Sequence, residues 1–291
     1  MGLALELVYA VNRVFPSPRI GGRESQDAYS QWEYDTGKAI FTEHFGTEVL
    51  QGARLLDVGC GLGGKTAWYA EAGAREVLGV DLAWEHVRQS ERFAAQRGQA
   101  ARIQITRASA MCLPFADAAF DVVTANDSME HFADPAAALR ELARVLRPGG
   151  RLCLYFTPYR SPLGSHLYDY VKIPWCNVVL SKPLLYATLE RAIRDAERAR
   201  GGPDAEARAA AKYAETIRYY ENDVNGITVR RFGEILAATP ALRSRRVHYE
   251  PPKFKFLRPL LGIPPLREYL AGLVFADLER TQAALSGPPG R

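Results

Sequence analysis

Through the middle of the chain, short apolar runs alternate with stretches of helical periodicity. Arg54-Leu55-Leu56-Asp57-Val58, Glu76-Val77-Leu78-Gly79-Val80-Asp81 and Phe120-Asp121-Val122-Val123-Thr124-Ala125 read as buried strands, and residues 102–106 and 151–156 as two more. Residues 67–73, 84–97 and 135–146 carry helix-period apolar positions, the last of them closed by Arg147-Pro148-Gly149-Gly150. Strands alternating with helices predict a parallel sheet. Upstream, Leu3, Leu5, Leu7, Val8, Val11, Val14 and Phe15 form an apolar segment ended by Pro16 and Pro18, and residues 25–45 read as a second helix with Tyr29, Trp32 and Tyr34. The first segment fits a helix packed on the domain or an interfacial helix serving a lipophilic substrate. Downstream, residues 159–225 exceed what one crossover needs. They open on a stretch rich in Tyr and Trp and continue as a charged helical run, 187–220, broken at Gly201-Gly202-Pro203; a helix over 229–238 follows.

The stretch from Arg54 to Thr66 reads as strand, tight turn and helix, with Gly59, Gly61 and Gly64 spaced through the turn. Glycines there let the backbone approach a ligand, and the helix that begins there directs free N–H groups at any negative group it carries. Three ligands fit the letters. The spacing matches the G-x-G-x-x-G dinucleotide fingerprint, and Gly59 to Thr66 also matches the phosphate-loop pattern G-x-x-x-x-G-K-T. Asp57 opposes the phosphate loop, because it would set a carboxylate beside a polyphosphate. The third ligand, S-adenosylmethionine, is cationic at its sulfonium and amino groups and welcomes an acid at the mouth of the turn. Asp81, at the end of the second strand and seventeen residues beyond Gly64, is placed to accept both ribose hydroxyls of a nucleoside, which every nucleoside ligand would use.

At 291 residues the chain suits one large α/β domain with an appendage. A net charge of +4 is too small an excess to demand nucleic acid. Cys60, Cys112, Cys153 and Cys176 form no C-x-x-C pair, so neither zinc nor a disulfide framework is indicated and a reducing cytoplasm is the expected compartment. The N-terminal apolar segment lacks a basic leader and a small-residue cleavage site, and no apolar run reaches the roughly 20 residues of a membrane span.

Asp57-Val58-Gly59-Cys60-Gly61-Leu62-Gly63-Gly64 is similar to the first motif of the class I S-adenosylmethionine-dependent methyltransferases. Leu113-Pro114-Phe115, then Phe120-Asp121-Val122-Val123, Glu130-His131-Phe132 and Leu146-Arg147-Pro148-Gly149-Gly150-Arg151-Leu152 resemble, in that order, the small-molecule branch of the family, over residues 50–158. A dehydrogenase would not be expected to reproduce the later motifs. Asn126-Asp127-Ser128-Met129 lacks the Asn/Asp-Pro-Pro-Tyr signature with which the family's nucleic-acid amino methyltransferases hold a flipped base. The resemblance implies an α/β Rossmann-like sheet of seven mostly parallel strands with helices on both faces. Its sixth strand falls near 244–250 and its antiparallel seventh near 269–278. The expected organisation is an N-terminal helical cap (1–48), a cofactor-binding core (49–158), a substrate lid inserted between strands five and six (159–225), the C-terminal part of the core (226–285) and a disordered tail (286–291).

The same resemblance places Asp57, Gly59, Cys60, Gly61, Gly64, Asp81, Leu82, Ser109, Ala110 and Asn126 at the cofactor, S-adenosyl-L-methionine. Ser109 stands where the family usually has an acid for the adenine amino group, so recognition there leans on the Ala110 backbone and apolar stacking. An N-terminal helix of the family often closes over the cofactor's methionine end, which makes Tyr29 and Trp32 candidates. His166, Tyr168, Tyr170 and Trp175 can frame a small apolar or aromatic substrate, or simply pack. The basic residues from Arg230 to Arg258, interleaved with Phe232, Tyr249, Phe254 and Phe256, fit a solvated strand face, an anionic substrate tail or a peripheral membrane contact; no nucleic acid is expected. Asp127, Glu130 and His131 follow the fourth strand, and helical spacing would set them on one face. Three roles compete. His131 is a general base in one, a structural helix start in another; in the third the trio holds a divalent ion, because Asp127-x-x-Glu130-His131 is similar to the E-x-x-E-H of the ubiquinone-pathway and small-RNA 2′-O-methyltransferases. The expected reaction is O-methylation of a small metabolite, with no resident metal; C- or N-methylation, and a scaffold that binds the cofactor without transferring from it, are the alternatives.

Overall fold

A computed structural model describes residues 2–16, 25–252 and 255–282 of the chain. Seven strands form one sheet: β1 (Arg54–Val58), β2 (Glu76–Asp81), β3 (Ile103–Arg107), β4 (Phe120–Asn126), β5 (Leu146–Phe156), β6 (Leu242–Glu250) and β7 (Leu273–Arg280). Their order is β3-β2-β1-β4-β5-β7-β6. β3, β2, β1, β4 and β5 pair in parallel, and β7 lies antiparallel against β5. The chain winds outward from β1 through β2 to β3, then returns to the other side of β1 for β4. That reversal makes the end of β1 a topological switch point, where open α/β sheets seat their ligands.

The apolar runs form strands because nearly every position is covered: Leu55, Leu56, Val77, Val123, Leu152 and Leu154 are all fully buried. β5 starts earlier than the sequence suggests. The Arg147-Pro148-Gly149-Gly150 turn is drawn into the strand, with a shift of register opposite Phe120 and Val122. The antiparallel strand lies four residues later than expected at its start, because Pro264 opens a short helix, α10 (Pro264–Leu270), over the residues before it.

The remaining helices are α1 (Gly2–Val14), α2 (Gln26–His44), α3 (Gly64–Glu71), α4 (Trp84–Gln96), α5 (Pro135–Val145), α6 (Cys176–Val179), α7 (Lys182–Arg200), α8 (Ala205–Asn222) and α9 (Val229–Ala237). Ser25 caps α2 by accepting from Ala28 N, and Asp134 caps α5 through Ala136 N and Ala137 N. Gly201-Gly202-Pro203 divides the charged run into α7 and α8, as its glycines and proline require. Among the described residues, no helix is long and apolar enough to cross a membrane. The expected disordered tail lies outside the described residues.

The chain divides into two compact units. One comprises residues 20–156, 231–248 and 274–291, and holds nearly all of the sheet; the other comprises 1–19, 157–230 and 249–273. The expected cap of residues 1–48 is therefore split: α2 belongs to the first unit and α1 to the second. The cause is Asn12, the buried residue of α1, whose Nδ2 donates to Tyr170 O (2.8 Å) and whose Oδ1 accepts from Lys172 N (2.6 Å). Tyr9 adds a hydrogen bond to Asp195 (2.6 Å) and Arg191 one to Glu6 (2.6 Å). Within the second unit, Leu167, Val171, Leu185, Leu189 and Ile193 form a core of their own. Much of the basic run near the C-terminus is engaged: Arg243 and Arg245 bond Glu279, and Arg258 bonds Glu250.

Asn12→Ala takes a partner from two part-buried backbone groups, the Tyr170 carbonyl and the Lys172 N–H, at once. A hydrogen bond of this kind is worth about 0.5–1.5 kcal/mol, so the variant should lose about 1–3 kcal/mol of stability, read by thermal or urea unfolding; a loss below about 0.5 kcal/mol would show that α1 is docked by other contacts.

Candidate functional site

The glycine turn is held from behind by β2. Gly59 N and Cys60 N both donate to the Val80 carbonyl, at 2.8 and 3.0 Å. Gly63 starts α3 at φ 86, in the left-handed region that favours glycine, and a Cβ there would stand 2.7 Å from Ser90 Cα. Gly64 is required for a different reason. α2 passes directly over it, so a Cβ would overlap the Ser30 carbonyl and stand 2.7 Å from Tyr34 N. Ser30 Oγ donates to Leu62 O (2.8 Å) and secures that crossing. The Cys60 thiol is buried in the turn, and burial pushes its pKa well up, helped by the charges of Asp57 and Asp81.

Asp57 occupies a different place from the mouth of the turn, where the sequence reading set it against a cationic ligand. It is 2% exposed, and both its oxygens are taken: Oδ2 accepts from Thr66 Oγ1 (2.6 Å) and Oδ1 from Thr124 Oγ1 (2.8 Å). Burial raises its pKa against the pull of those two hydroxyls. The alternation of a strand turns this side chain inward, and α3 and β4 each bring a threonine to meet it.

Asp81 ends β2 facing the turn. Its Oδ2 accepts from Gly61 N (3.1 Å), and its Oδ1 from Ala83 N (2.9 Å) and His86 Nδ1 (3.1 Å). Burial works against its charge, yet the bonds from His86, Ala83 and Gly61 outweigh it and hold the carboxyl below the usual range. His86 is raised in turn, chiefly by its bond to Asp81. Nothing in the spacing marked His86; a His one helical turn past a strand-ending acid is the only signal. Beside Asp81, Leu82 and Trp84 expose apolar surface, and Arg107 crosses from β3 to Leu82 O (2.7 Å) and the Trp84 ring. Ser109 and Cys112 form a small bridge, with Met111 N donating to Ser109 Oγ (3.3 Å) and Ala110 buried between them.

At the end of β4, Asn126 is buried, donating to Tyr69 OH (2.6 Å) while its Oδ1 has no hydrogen-bond partner among the described residues. The trio that follows does not share a helix face. Only Met129–His131 forms a 3-10 turn, and Asp127 stands before it at φ 55. Asp127 is exposed and accepts from Lys65 Nζ (2.9 Å), which also donates to Asn126 O (3.1 Å). Glu130 is buried, whereas His131 is half-buried. Lys65, read from the sequence only as a letter of the phosphate-loop pattern, thus serves as the counter-charge of Asp127.

Two aromatic candidates of α2, Tyr29 and Trp32, are half-buried and lie 5.3 Å apart, ring to ring. The residues of α2 that meet the turn are Ser30, Tyr34 and Glu33. Glu33, which the sequence reading passed over, is buried beside the turn, and burial pushes its carboxyl up to about 7. The four substrate candidates all lie in the second unit. His166 sits at φ 56 near the rings of Tyr168 and Tyr219, the backbone of Tyr170 is tied to Asn12, and Trp175 Nε1 donates to Tyr269 O (2.8 Å).

Residues 56–154 match the family described as methyltransferase domain. The chain is 42% identical over 114 residues to 27-O-demethylrifamycin SV methyltransferase of Amycolatopsis mediterranei, covering 39% of this chain and 42% of that one. It spans about two fifths of the length of the curated relatives it matches. Its fold resembles geranyl diphosphate methyltransferase solved with S-adenosylmethionine, at TM-score 0.56 and 17% identity over 91% of this chain and 92% of that one. It also resembles the [4+2]-cyclase SpnF, at TM-score 0.52 and 18% identity over 96% and 93%. The glycine turn and the strand-ending acid thus lie within the segment similar to the methyltransferase domain family, on a sheet whose fold the solved methyltransferases share.

Proposed function

We propose that the chain is an S-adenosylmethionine-dependent methyltransferase that methylates an oxygen of a small, apolar or aromatic molecule. The observation that carries this reading is the pairing of the glycine turn with an ionised Asp81 at the switch point of the sheet. The site fits the cofactor: glycines leave a cradle that side chains would fill, Asp81 offers a carboxylate for the ribose hydroxyls, and Leu82 and Trp84 offer apolar surface for a base. Ser109 and the Ala110 backbone would flank the adenine, and Asn126 would border the methionine end. Oxygen is favoured as acceptor because relatives matched over the core include enzymes named as O-methyltransferases, tocopherol and demethylrifamycin among their substrates.

The bound cofactor would supply an activated methyl group. The chain's own contribution is alignment of the acceptor, for which on the order of 7–11 kcal/mol is available, and removal of its proton, a further factor of ~10²–10⁴. His131 is the base in this assignment. Asp127, though exposed, is paired with Lys65, and Glu130 is buried, so the half-buried imidazole is the member assigned to the proton. A second reading, cofactor binding without transfer, draws on the likeness to a cyclase, and turnover separates it from the first.

Asp81→Ala should weaken S-adenosylmethionine by about 1.5–3 kcal/mol, the range for hydrogen bonds to charged groups, measured by calorimetry. Unchanged affinity in a folded variant, or tight binding of a nicotinamide dinucleotide by the wild type, would sink the assignment. His131→Ala should lower turnover of an identified substrate at least about tenfold, with chelator leaving the wild type unaffected. Activity abolished by chelator and restored by magnesium would assign the trio to a metal instead, and full activity in the variant would remove His131 from the chemistry.

A further inference from the structure

We propose that Glu33 binds the ammonium group at the amino-acid end of the cofactor, making α2 a charged wall of the site. The proposal rests on the S-adenosylmethionine reading above. The Glu33 side chain lies along the glycine turn: a Cβ on Gly64 would stand 2.6 Å from Glu33 Cβ, and one on Gly61 would stand 3.1 Å from Oε1. The residue is 8% exposed, yet Oε2 finds no hydrogen-bond partner among the described residues. Buried carboxylate oxygens are ordinarily satisfied, so an orphan against a ligand cradle marks a place for a donor. That donor is not Lys65, whose ammonium bonds Asp127 and Asn126 O.

Charged groups face Glu33 from each element around it. Lys65 on α3 favours its ionisation, whereas Asp57 on β1 and Asp127 after β4 oppose it. Cys60 in the turn and His86 on α4 also feel its charge. Burial is the largest influence, and it leaves the carboxyl titrating at about 7. Near neutrality the empty site therefore holds Glu33 partly protonated. An ammonium seated at Oε2 favours the carboxylate, so binding expels that proton to solvent. Below pH 7 the proton competes with the ligand, and affinity falls toward about tenfold per pH unit. Above pH 7 the carboxylate is already free, until the ligand's own α-amino group loses its proton near about 8.

Two ligands separate this role from a structural one. S-adenosylhomocysteine carries the amino-acid end; 5′-methylthioadenosine shares the nucleoside and lacks that end. In calorimetry at pH 7, Glu33→Gln should weaken S-adenosylhomocysteine by about tenfold or more while 5′-methylthioadenosine stays within about twofold of wild type. At pH 6.5, in buffers of different ionisation heat, the wild type should release a proton on binding S-adenosylhomocysteine and none on binding 5′-methylthioadenosine; the Gln variant should release none with either. Titration of His86 beside Asp81 acts on the shared nucleoside and cancels between the two. Equal losses for both ligands, no loss for S-adenosylhomocysteine, or wild-type binding without proton release would overturn the proposal. A wild type that binds neither ligand, yet is folded by circular dichroism, overturns the cofactor reading and Glu33's role with it.

Discussion

A buried carboxylate with a hydroxyl on each oxygen holds the binding end of the sheet together. Asp57 on β1 accepts from Thr66 on α3 and from Thr124 on β4, so one side chain sets the spacing of three elements that diverge at the switch point. Removing an ion of this size from water costs several kcal/mol, and the raised pKa shows that two hydroxyl bonds do not fully cancel that cost. What the arrangement supplies in exchange is geometry. With α3 fixed to β1, the arc from Gly59 to Gly64 is fixed as well, and with β4 fixed beside it, Asn126 to His131 emerge on a known side of that arc.

The sheet was legible in the sequence because burial writes itself directly into short apolar runs, and the turn was legible because only glycine tolerates Gly63's backbone and Gly64's close neighbour. Asp81 followed from its position at a strand end. The role of Asp57 was not legible: its partners are threonines nine and sixty-seven residues away, and a carboxylate in a motif reads the same whether it faces ligand or core. Glu33 was hidden for a similar reason. In a helix whose neighbours are Trp32 and Tyr34, the aromatics draw attention, while the residue that meets the turn is chosen by the crossing of α2, which no local period encodes. Asp127 was grouped with Glu130 and His131 on the assumption of a helix, but the left-handed backbone at Asp127 ends that continuity. α1 carries an apolar pattern that read as a packing face, yet Leu3, Leu7, Val11 and Val14 are exposed and its buried residue is a polar one, Asn12.

Charge is distributed unevenly around this site. Lys65 is half-buried and paired with an exposed acid, Asp81 is kept ionised by donors, and Glu33 is buried without a full set of partners. Asp81 and Glu33, within one small region, thus have proton affinities moved in opposite directions, set by surroundings that the spacing of the residues does not reveal.

The strand order carries a consequence for synthesis. β7 lies between β5 and β6, although β6 precedes it in the chain. As the polypeptide emerges from a ribosome, β6 leaves the exit tunnel with no strand to join, and its backbone groups stay open to other chains until residues 273–280 follow. The arrival of β7 closes the sheet in one step: its six-residue ladder covers β5, its other edge receives β6, and Arg280 donates to the carbonyls of Arg144 and Leu146 at the start of β5. Until β7 is in place the sheet therefore has two unfinished edges, one on β5 and one on β6, and a single strand closes both.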